Sequence, residues 1–488
     1  MTMSADPSRS GEGATAALAE FAATTRFADL PADVVHGAKR LILDCVGCAI
    51  GGASLDAGRI VVELAVEMGG GLGTATILGS GGRSASPSAA AFANCYLGNV
   101  LDADDTLLNS GHPGVLAVFG ALAAGEPARI SGKELITAVA VGYEIAARVG
   151  FSLQTTHIGD TTSAAPARTV TSGWLGFGVA VAAARVLGLD PNQMLHAVGI
   201  AGTTSPVGTG GSWPRTVAGK NMMKYVPYGF LGANGVLAAQ LASKGMTATP
   251  AILEGDDGYW NIVGAAGCDW DLLAGRLGDS WYLPQTSFKP YASGRFSNLS
   301  VDLFRQLMRD HGLAPGEVTA VEVLTFPRAA EDWFSGNRDP QTQIDMQFSI
   351  PLAIAAAAHG SDLGPRWMSA RQMHDPDMRA FASKVRVGPH PDSIPAITAQ
   401  IAAEGRFRRV PTRVSIQARD ATFTADGDSA WGDPWDEQSR MTDQQLADKF
   451  RTFTDQNLRS DRAESVIDVA FDLDNVEDIC STLVPALR

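Results

Sequence analysis

The chain has 488 residues, 45% of them hydrophobic, enough for two or three domains with large cores. It carries 52 acidic against 38 basic side chains, a formal net charge of −14. That balance excludes nucleic acid or an anionic membrane surface as the main partner, but not a small anion held in a local pocket of Lys and Arg.

Residues 1–14 are polar and Ser/Gly-rich, with no basic-then-apolar leader, and read as a disordered tail. Helices are predicted at 16–25 and 31–51, the second opening on Pro31. Cys45 and Cys48 fall in its apolar stretch, while Cys95, Cys268 and Cys480 are scattered. No second Cys/His pair matches their spacing and no compact trio exists, so neither zinc nor an iron–sulfur cluster is expected. The thiols read as buried and reduced, as in a cytoplasmic protein. No run of about 18 residues is apolar without a charge, so a membrane span is not expected.

Helices at 57–68, 86–101, 113–124 and 132–151 follow apolar residues at three- and four-residue spacing. Between the second and third stands the densest chemistry in the chain, Leu101-Asp102-Ala103-Asp104-Asp105-Thr106 followed by Gly111-His112-Pro113. Only 18% of the chain is charged, and this segment runs into Val115, Leu116, Val118 and Phe119. Carboxylates held against apolar walls have raised pKa values, which suits acid–base work. The competing reading is a turn in which Asp104, Asp105 or Thr106 caps the next helix. Pro113 keeps the backbone of His112 extended at the loop–helix boundary. Asp102 with His112 is the first acid–base candidate; a satisfied polar residue at a helix start is the plain alternative.

Helices at 172–187, 191–202, 229–244 and 250–253 complete this series, with Ala180, Ala182, Ala183, Ala184, Ala238 and Ala239 allowing close approach. Gly79-Ser80-Gly81-Gly82 and Gly208-Thr209-Gly210-Gly211 do not link a strand to a helix, so they give little support for nucleotide binding. No GxSxG or HExxH pattern occurs. Lys224, just ahead of a Gly-opened helix, is the second candidate: it faces a pocket and binds a carboxylate or loses its proton, or it is simply solvated.

After Cys268 the texture changes. Segment 280–288 is aromatic and turn-rich, 297–311 a helix, 318–326 a strand and 348–359 an apolar helix. Strands follow at 385–387 and 413–418, the latter forming a hairpin with 421–424. Thr442 and Gln445 place a capping box at the start of a helix over 442–457, and a last helix is predicted within 476–487. Phe288-Lys289-Pro290-Tyr291-Ala292-Ser293-Gly294-Arg295 interleaves cations with aromatics, and Arg295 suits a bidentate grip on a carboxylate. A surface loop is the alternative there. The predicted fold class is mainly α: an all-helical domain at 15–268, a smaller α+β lid at 269–428, and C-terminal helices at 429–488 packing back on the helical domain. A site is expected at the junction.

In chain order, Leu30-Pro31, Leu43-Asp44-Cys45-Val46-Gly47, Leu78-Gly79-Ser80, the run from Ala89 to Asn94, the acidic motif and His112-Pro113 resemble the signature of the MmgE/PrpD family. So do Gly142-Tyr143-Glu144, Lys224 with Gly229 and Gly235, Phe288-Lys289-Pro290-Tyr291 with Arg295-Phe296, and Gly432-Asp433-Pro434 ahead of Lys449-Phe450. The resemblance implies a helical domain with a lid, usually as a homodimer, and a site without metal or cofactor between them. It also implies action on small di- or tricarboxylates. It matches Asp102, Thr106 and His112 to the family's loop of active-site acid, hydroxyl and histidine, and Lys224 to its active-site lysine. Three positions depart from relatives that commonly carry histidine: Thr169 beside Arg168, Pro227 three residues past the lysine, and Ser297-Asn298 after Phe296. His157 is a candidate replacement.

The expectation is a cofactor-independent, dehydratase-type lyase of a small carboxylate. Asp102, His112 and Lys224 are its acid–base groups, and Thr106, Arg168, Tyr228, Lys289, Tyr291 and Arg295 its substrate-binding residues. Epimerisation of a dicarboxylate needs fewer proton donors and suits the thinner histidine set. A non-catalytic carboxylate binder is the third reading, although a pure binder has little use for the acid–base trio.

Overall fold

The computed structural model describes residues 11–69, 73–108, 110–153, 156–158, 164–166, 173–205, 218–265 and 267–488. Among the described residues, nine principal helices build the N-terminal half: α1 (Ala14–Thr24), α2 (Ala32–Gly52), α3 (Asp56–Met68), α4 (Pro87–Asn99), α5 (Pro113–Ala128), α6 (Gly132–Ser152), α7 (Leu175–Val186), α8 (Pro191–Thr204) and α9 (Val226–Ser243). Their starts follow from local chemistry. Ser131 and Glu134 form a capping box on α6, Asp190 and Gln193 another on α8, and Ser86 caps α4 ahead of Pro87.

Helices α5, α6 and α7 are apolar almost all round because they lie at the centre of the core. A Cβ on Gly142 would stand 2.7 Å from the Gly178 carbonyl oxygen, and one on Gly178 would stand 2.6 Å from that of Gly142. Helices α6 and α7 therefore touch backbone to backbone. By length and composition α6 could cross a bilayer, but 94% of its apolar window is buried inside the fold. Its apolarity is used in packing.

Two predicted helices are corrected. Segment 250–253 is a turn, since Gly255, at φ +81°, breaks the chain soon after Pro250, and a single helical turn forms later at Tyr259–Ile262. Segment 476–487 splits into a 3₁₀ turn at Ile479–Ser481, capped by Asp478, and a short helix at Leu483–Leu487.

The strands form small ribbons and one larger sheet. Strands β1 (Ala75–Thr76) and β2 (Ser84–Ala85) pair; β3 (Asp105–Thr106) stands in the acidic loop; β4 (Thr156–Ile158) and β5 (Ala164–Pro166) pair; β6 (Ser287–Phe288) pairs with β3. In the β3–β6 ribbon Asp105 faces Phe288 and Thr106 faces Ser287, which stitches the acidic loop to the segment bearing Lys289. The C-terminal half carries the four-stranded sheet, in the order β10 (Ala421–Gly427), β9 (Thr412–Ala418), β7 (Val318–Thr325), β8 (Val385–Pro389). Only β7 and β8 run parallel. The β9–β10 hairpin turns on Arg419 and Asp420, both at positive φ, the backbone a tight right-twisted hairpin needs.

Helix α10 (Arg295–Asp310) packs on that sheet, with the apolar α11 (Ile350–Ala358) behind it. Helices α12 (Asp443–Thr454) and α13 (Ser460–Phe471) then return to pack on α2. The capping box read at Thr442 and Gln445 is formed at the start of α12. Helix α13 was not predicted.

Candidate active site

Where α4 ends, the chain turns through Asp102 at φ +52°, a left-handed conformation that Asp tolerates better than most side chains. Asn99 holds the turn: its carbonyl accepts from the Asp102 N–H (2.9 Å) and its amide donates to Asp104 (2.8 Å). Asp105 then caps α5, accepting from the N–H groups of Gly114 (2.9 Å) and Val115 (3.3 Å). Burial, reinforced by Asp104, pushes its carboxyl pKa well up. The capping role thus belongs to Asp105. Leu107 and Gly111 exchange backbone hydrogen bonds (2.9 and 3.0 Å), closing a tight loop that delivers His112 to the start of α5.

Around Asp102 the structure assembles a buried ionic cluster. One carboxylate oxygen accepts from the Lys289 ammonium at 2.7 Å; the other accepts from Lys224 and, at 3.3 Å, from the Tyr225 hydroxyl. Lys289 also stands 3.5 Å from Asp104, and Asp104 stands 3.5 Å from His112 Nδ1. Tyr225 bonds Gln347, whose amide donates to the Val100 carbonyl (2.8 Å). The Lys224 ammonium lies over the rings of Tyr225 (4.5 Å) and Phe348 (5.2 Å).

The electrostatics separate the roles. Burial opposes ionisation of Asp102, but Lys224 and Lys289 outweigh it and hold the carboxylate well below its usual range. Burial also lowers the Lys224 pKa, and Lys289 adds to this, with Asp102 restraining the drop. For His112, burial dominates and lowers the imidazole to about 4, against the pull of Asp104. The ring is therefore neutral at pH 7. Its Nδ1 lies 2.6 Å from the Asp105 carbonyl oxygen, which can only accept, so Nδ1 carries the proton and Nε2 bears the lone pair. A neutral base and a half-buried ammonium thus share one cluster.

The remaining expected residues divide. Tyr228 meets the His112 ring edge to face at 6.0 Å, and the Thr106 hydroxyl, on β3, is buried without a hydrogen-bond partner among the described residues. Lys289, expected to hold substrate, is committed to Asp102 and Asp104. Tyr291 and Arg295 lie outside the cluster. Tyr291 donates to Asp302 (2.6 Å) with Arg305 stacked on its ring. Arg295 grips a carboxylate, but it is that of Asp433, at 2.6 Å to both oxygens. Arg168, Thr169 and the side chain of His157 lie outside the described residues. Pro227 sits in the first turn of α9, and Asn298 is turned onto its own helix, with its amide placed to donate to the carbonyls of Gly294 and Arg295.

Sequence reasoning missed Tyr225, Gln347 and the place of Asp104 in the cluster. Adjacency to Lys224 was the available signal for Tyr225; Gln347 comes from a short helix, Gln343–Gln347, with no local mark of function. Among the described residues no group of three or more His, Cys, Asp or Glu is placed to hold a metal ion.

Two family models match the chain: the MmgE/PrpD N-terminal domain over residues 16–268 and the MmgE/PrpD C-terminal domain over residues 291–474. Among curated proteins, the chain is similar to cis-aconitate decarboxylase of Homo sapiens, at 25% identity over 93% of this chain and 90% of the relative. It is equally similar to cis-aconitate decarboxylase of Aspergillus terreus (strain NIH 2624 / FGSC A1156), at 25% identity over 99% of this chain and 98% of the relative. The enzyme of that name from Mus musculus matches at 25% identity over 93% of this chain.

Proposed function

The chain belongs to the MmgE/PrpD family, and from that premise we propose that it is a lyase of a small di- or tricarboxylate, working by proton transfer next to a carboxylate. The observation that carries this reading is the geometry of His112, with Nδ1 on the Asp105 carbonyl so that Nε2 bears the lone pair, in one cluster with the Lys224 ammonium. Names of relatives supply the substrate class: they are cis-aconitate decarboxylases.

His112 Nε2 takes the proton from the carbon beside a carboxylate. The released electron pair forms the carbon–carbon double bond as the hydroxyl on the neighbouring carbon leaves, and Lys224 gives that hydroxyl its proton, so the products are an unsaturated acid and water. Asp104 and Asp102 stabilise the imidazolium that forms. Lys289 keeps Asp102 ionised while Lys224 is without its proton. A base with a pKa near 4 is weak, but a bound polyanion raises it, because each substrate carboxylate favours the protonated imidazole. Dehydration is favoured over loss of CO2 because only dehydration requires a free base alongside the acid.

The test is to incubate the pure protein with a panel of hydroxy and unsaturated di- and tricarboxylates in deuterated water and follow products by proton NMR. One member is expected to lose water, with His112→Gln and Lys224→Ala each slower by about 10²–10⁴. Loss of CO2 alone would replace dehydration within the lyase class. Deuterium wash-in with inversion and no second product would make it an isomerase. No conversion or exchange across the panel, or full activity in Lys224→Ala, would overturn the enzymatic reading.

A further inference from the structure

We propose that Lys449 is a positioning residue for this site, its ammonium fixing the Ala103 carbonyl and with it the Ala103–Asp104 peptide. The inference rests on the function proposed above. It comes from a part of the chain that the acid–base steps do not use.

Lys449 lies on α12, 346 residues from Ala103, and is 8% exposed. Its Nζ donates to the Ala103 carbonyl oxygen at 2.6 Å and to Asp44 on α2 at 2.5 Å, over the ring of Phe453 at 5.2 Å. Close packing makes the reach possible: a Cβ on Gly47 of α2 would stand 2.8 Å from the Phe450 ring. The Ala103 carbonyl belongs to the residue after the left-handed turn at Asp102, so its orientation sets where both flanking carboxylates point. Those two carboxylates hold Lys224, Lys289 and His112. A buried cation on a buried carbonyl is a costly arrangement for packing alone, because an apolar pair of similar volume serves packing as well. Here it supplies a directed donor. The other oxygen of Asp44 is buried with no hydrogen-bond partner among the described residues, so Asp44 serves mainly as the counter-charge that keeps Lys449 protonated in the interior.

The test compares Asp44→Asn, Asp44→Asn/Lys449→Met and wild type. The double variant leaves no unpaired buried charge, and its folding is checked by its thermal midpoint. Expected in the folded double variant is a kcat lower by about tenfold or more, with KM within about threefold, since displacing reacting groups by 1 Å costs on the order of 10² in rate. Asp44→Asn, which keeps the donor on the carbonyl, is expected to stay within about threefold of wild-type kcat. The second readout does not need turnover: the His112 imidazole, assigned in NMR spectra with His112→Gln, should titrate near 4 in wild type and lower in the double variant, because the displaced Asp104 and Asp102 no longer pull its pKa up. If the double variant does not fold, Asp44→Asn/Lys449→Gln, shorter and uncharged, takes its place for the same readouts. A folded double variant with wild-type kcat and wild-type His112 titration would overturn the proposal. A wild-type protein with no activity but a shifted titration in the variant would sink the functional reading and leave the positioning role standing.

Discussion

Replacing Asp102 by Asn removes one negative charge from between two ammonium groups and leaves the shape nearly unchanged. Lys289 lies 2.7 Å away, and the two side chains are 1% and 3% exposed. At an effective dielectric of about 20, the gross attraction at that distance is ~6 kcal/mol. Desolvation offsets much of it, and the measurable loss is the penalty for leaving Lys224 without its carboxylate and Lys289 with only Asp104, 3.5 Å away, about 3–5 kcal/mol. For 488 residues at roughly 2 cal/mol/K each, the unfolding entropy is about 1 kcal/mol/K, so Tm should fall by about 3–5 °C. The sign with pH is fixed by the direction of the shift. Asp102 is held below its unfolded pKa, so its contribution is complete above about pH 4 and fades only as pH falls toward the folded value. The titration of Asp102 itself therefore adds no pH dependence to the gap between variant and wild type from pH 5 to 8. Calorimetric scans across that range, with kcat measured in parallel, make the assay. Lys224, having lost the partner that keeps it protonated, should lose its use as an acid, and kcat should fall with Tm. A variant within 1 °C of wild type at pH 7 would refute the reasoning.

Four further outcomes are expected. Because burial holds His112 at about 4, the acidic limb of kcat/KM should lie near pH 4–5, and a limb at 6–7 would contradict a buried neutral imidazole. The unfolded chain binds that proton near 6.5, so His112 also makes stability fall as pH drops from about 6.5 to about 4, measurable by comparison with His112→Gln. Arg295→Met should lower Tm, because Asp433 is left buried without its cation, while KM stays within about twofold; a tenfold rise in KM at unchanged Tm would return Arg295 to the substrate. Gly178→Val should destabilise by at least about 1–3 kcal/mol, since even its Cβ would lie 2.6 Å from the Gly142 carbonyl; an unchanged Tm would contradict the backbone contact of α6 and α7.

The helices were legible where one force dominates. Apolar content marks α5, α6 and α7 because burial leaves them almost no polar face, and the cap of Thr442 with Gln445 is written within four residues. Helix α13 escaped although Ala463, Val466, Ile467 and Ala470 keep helical spacing, because it opens on Arg459 with no side-chain cap to mark its start. At the site, residue type alone pointed to Asp102, His112 and Lys224. What sequence could not carry is which charge answers which. Asp102 meets Lys289 across 187 residues and Arg295 meets Asp433 across 138, and no local periodicity encodes such pairs. A cation among aromatics looks the same whether it awaits a substrate or, like Arg295, already holds an internal carboxylate. Tyr291 lies ahead of α10, which carries Asp302, so helical spacing does not link that pair either.

The β3–β6 ribbon also orders events in time. It joins the acidic loop to a segment synthesised long afterwards, and at roughly 5–20 residues per second the 187 residues between Asp102 and Lys289 take about 10–40 s to emerge. Helices α1 to α9 have time to collapse in that interval, yet the Asp102 carboxylate still lacks one of its two cations and β3 has an open edge. The nascent half-chain is thus apolar inside and electrostatically unfinished at one spot. That spot is where misassembly should begin if the second half is late, so a chain truncated before β6 should bind holdase chaperones more strongly than the full-length protein.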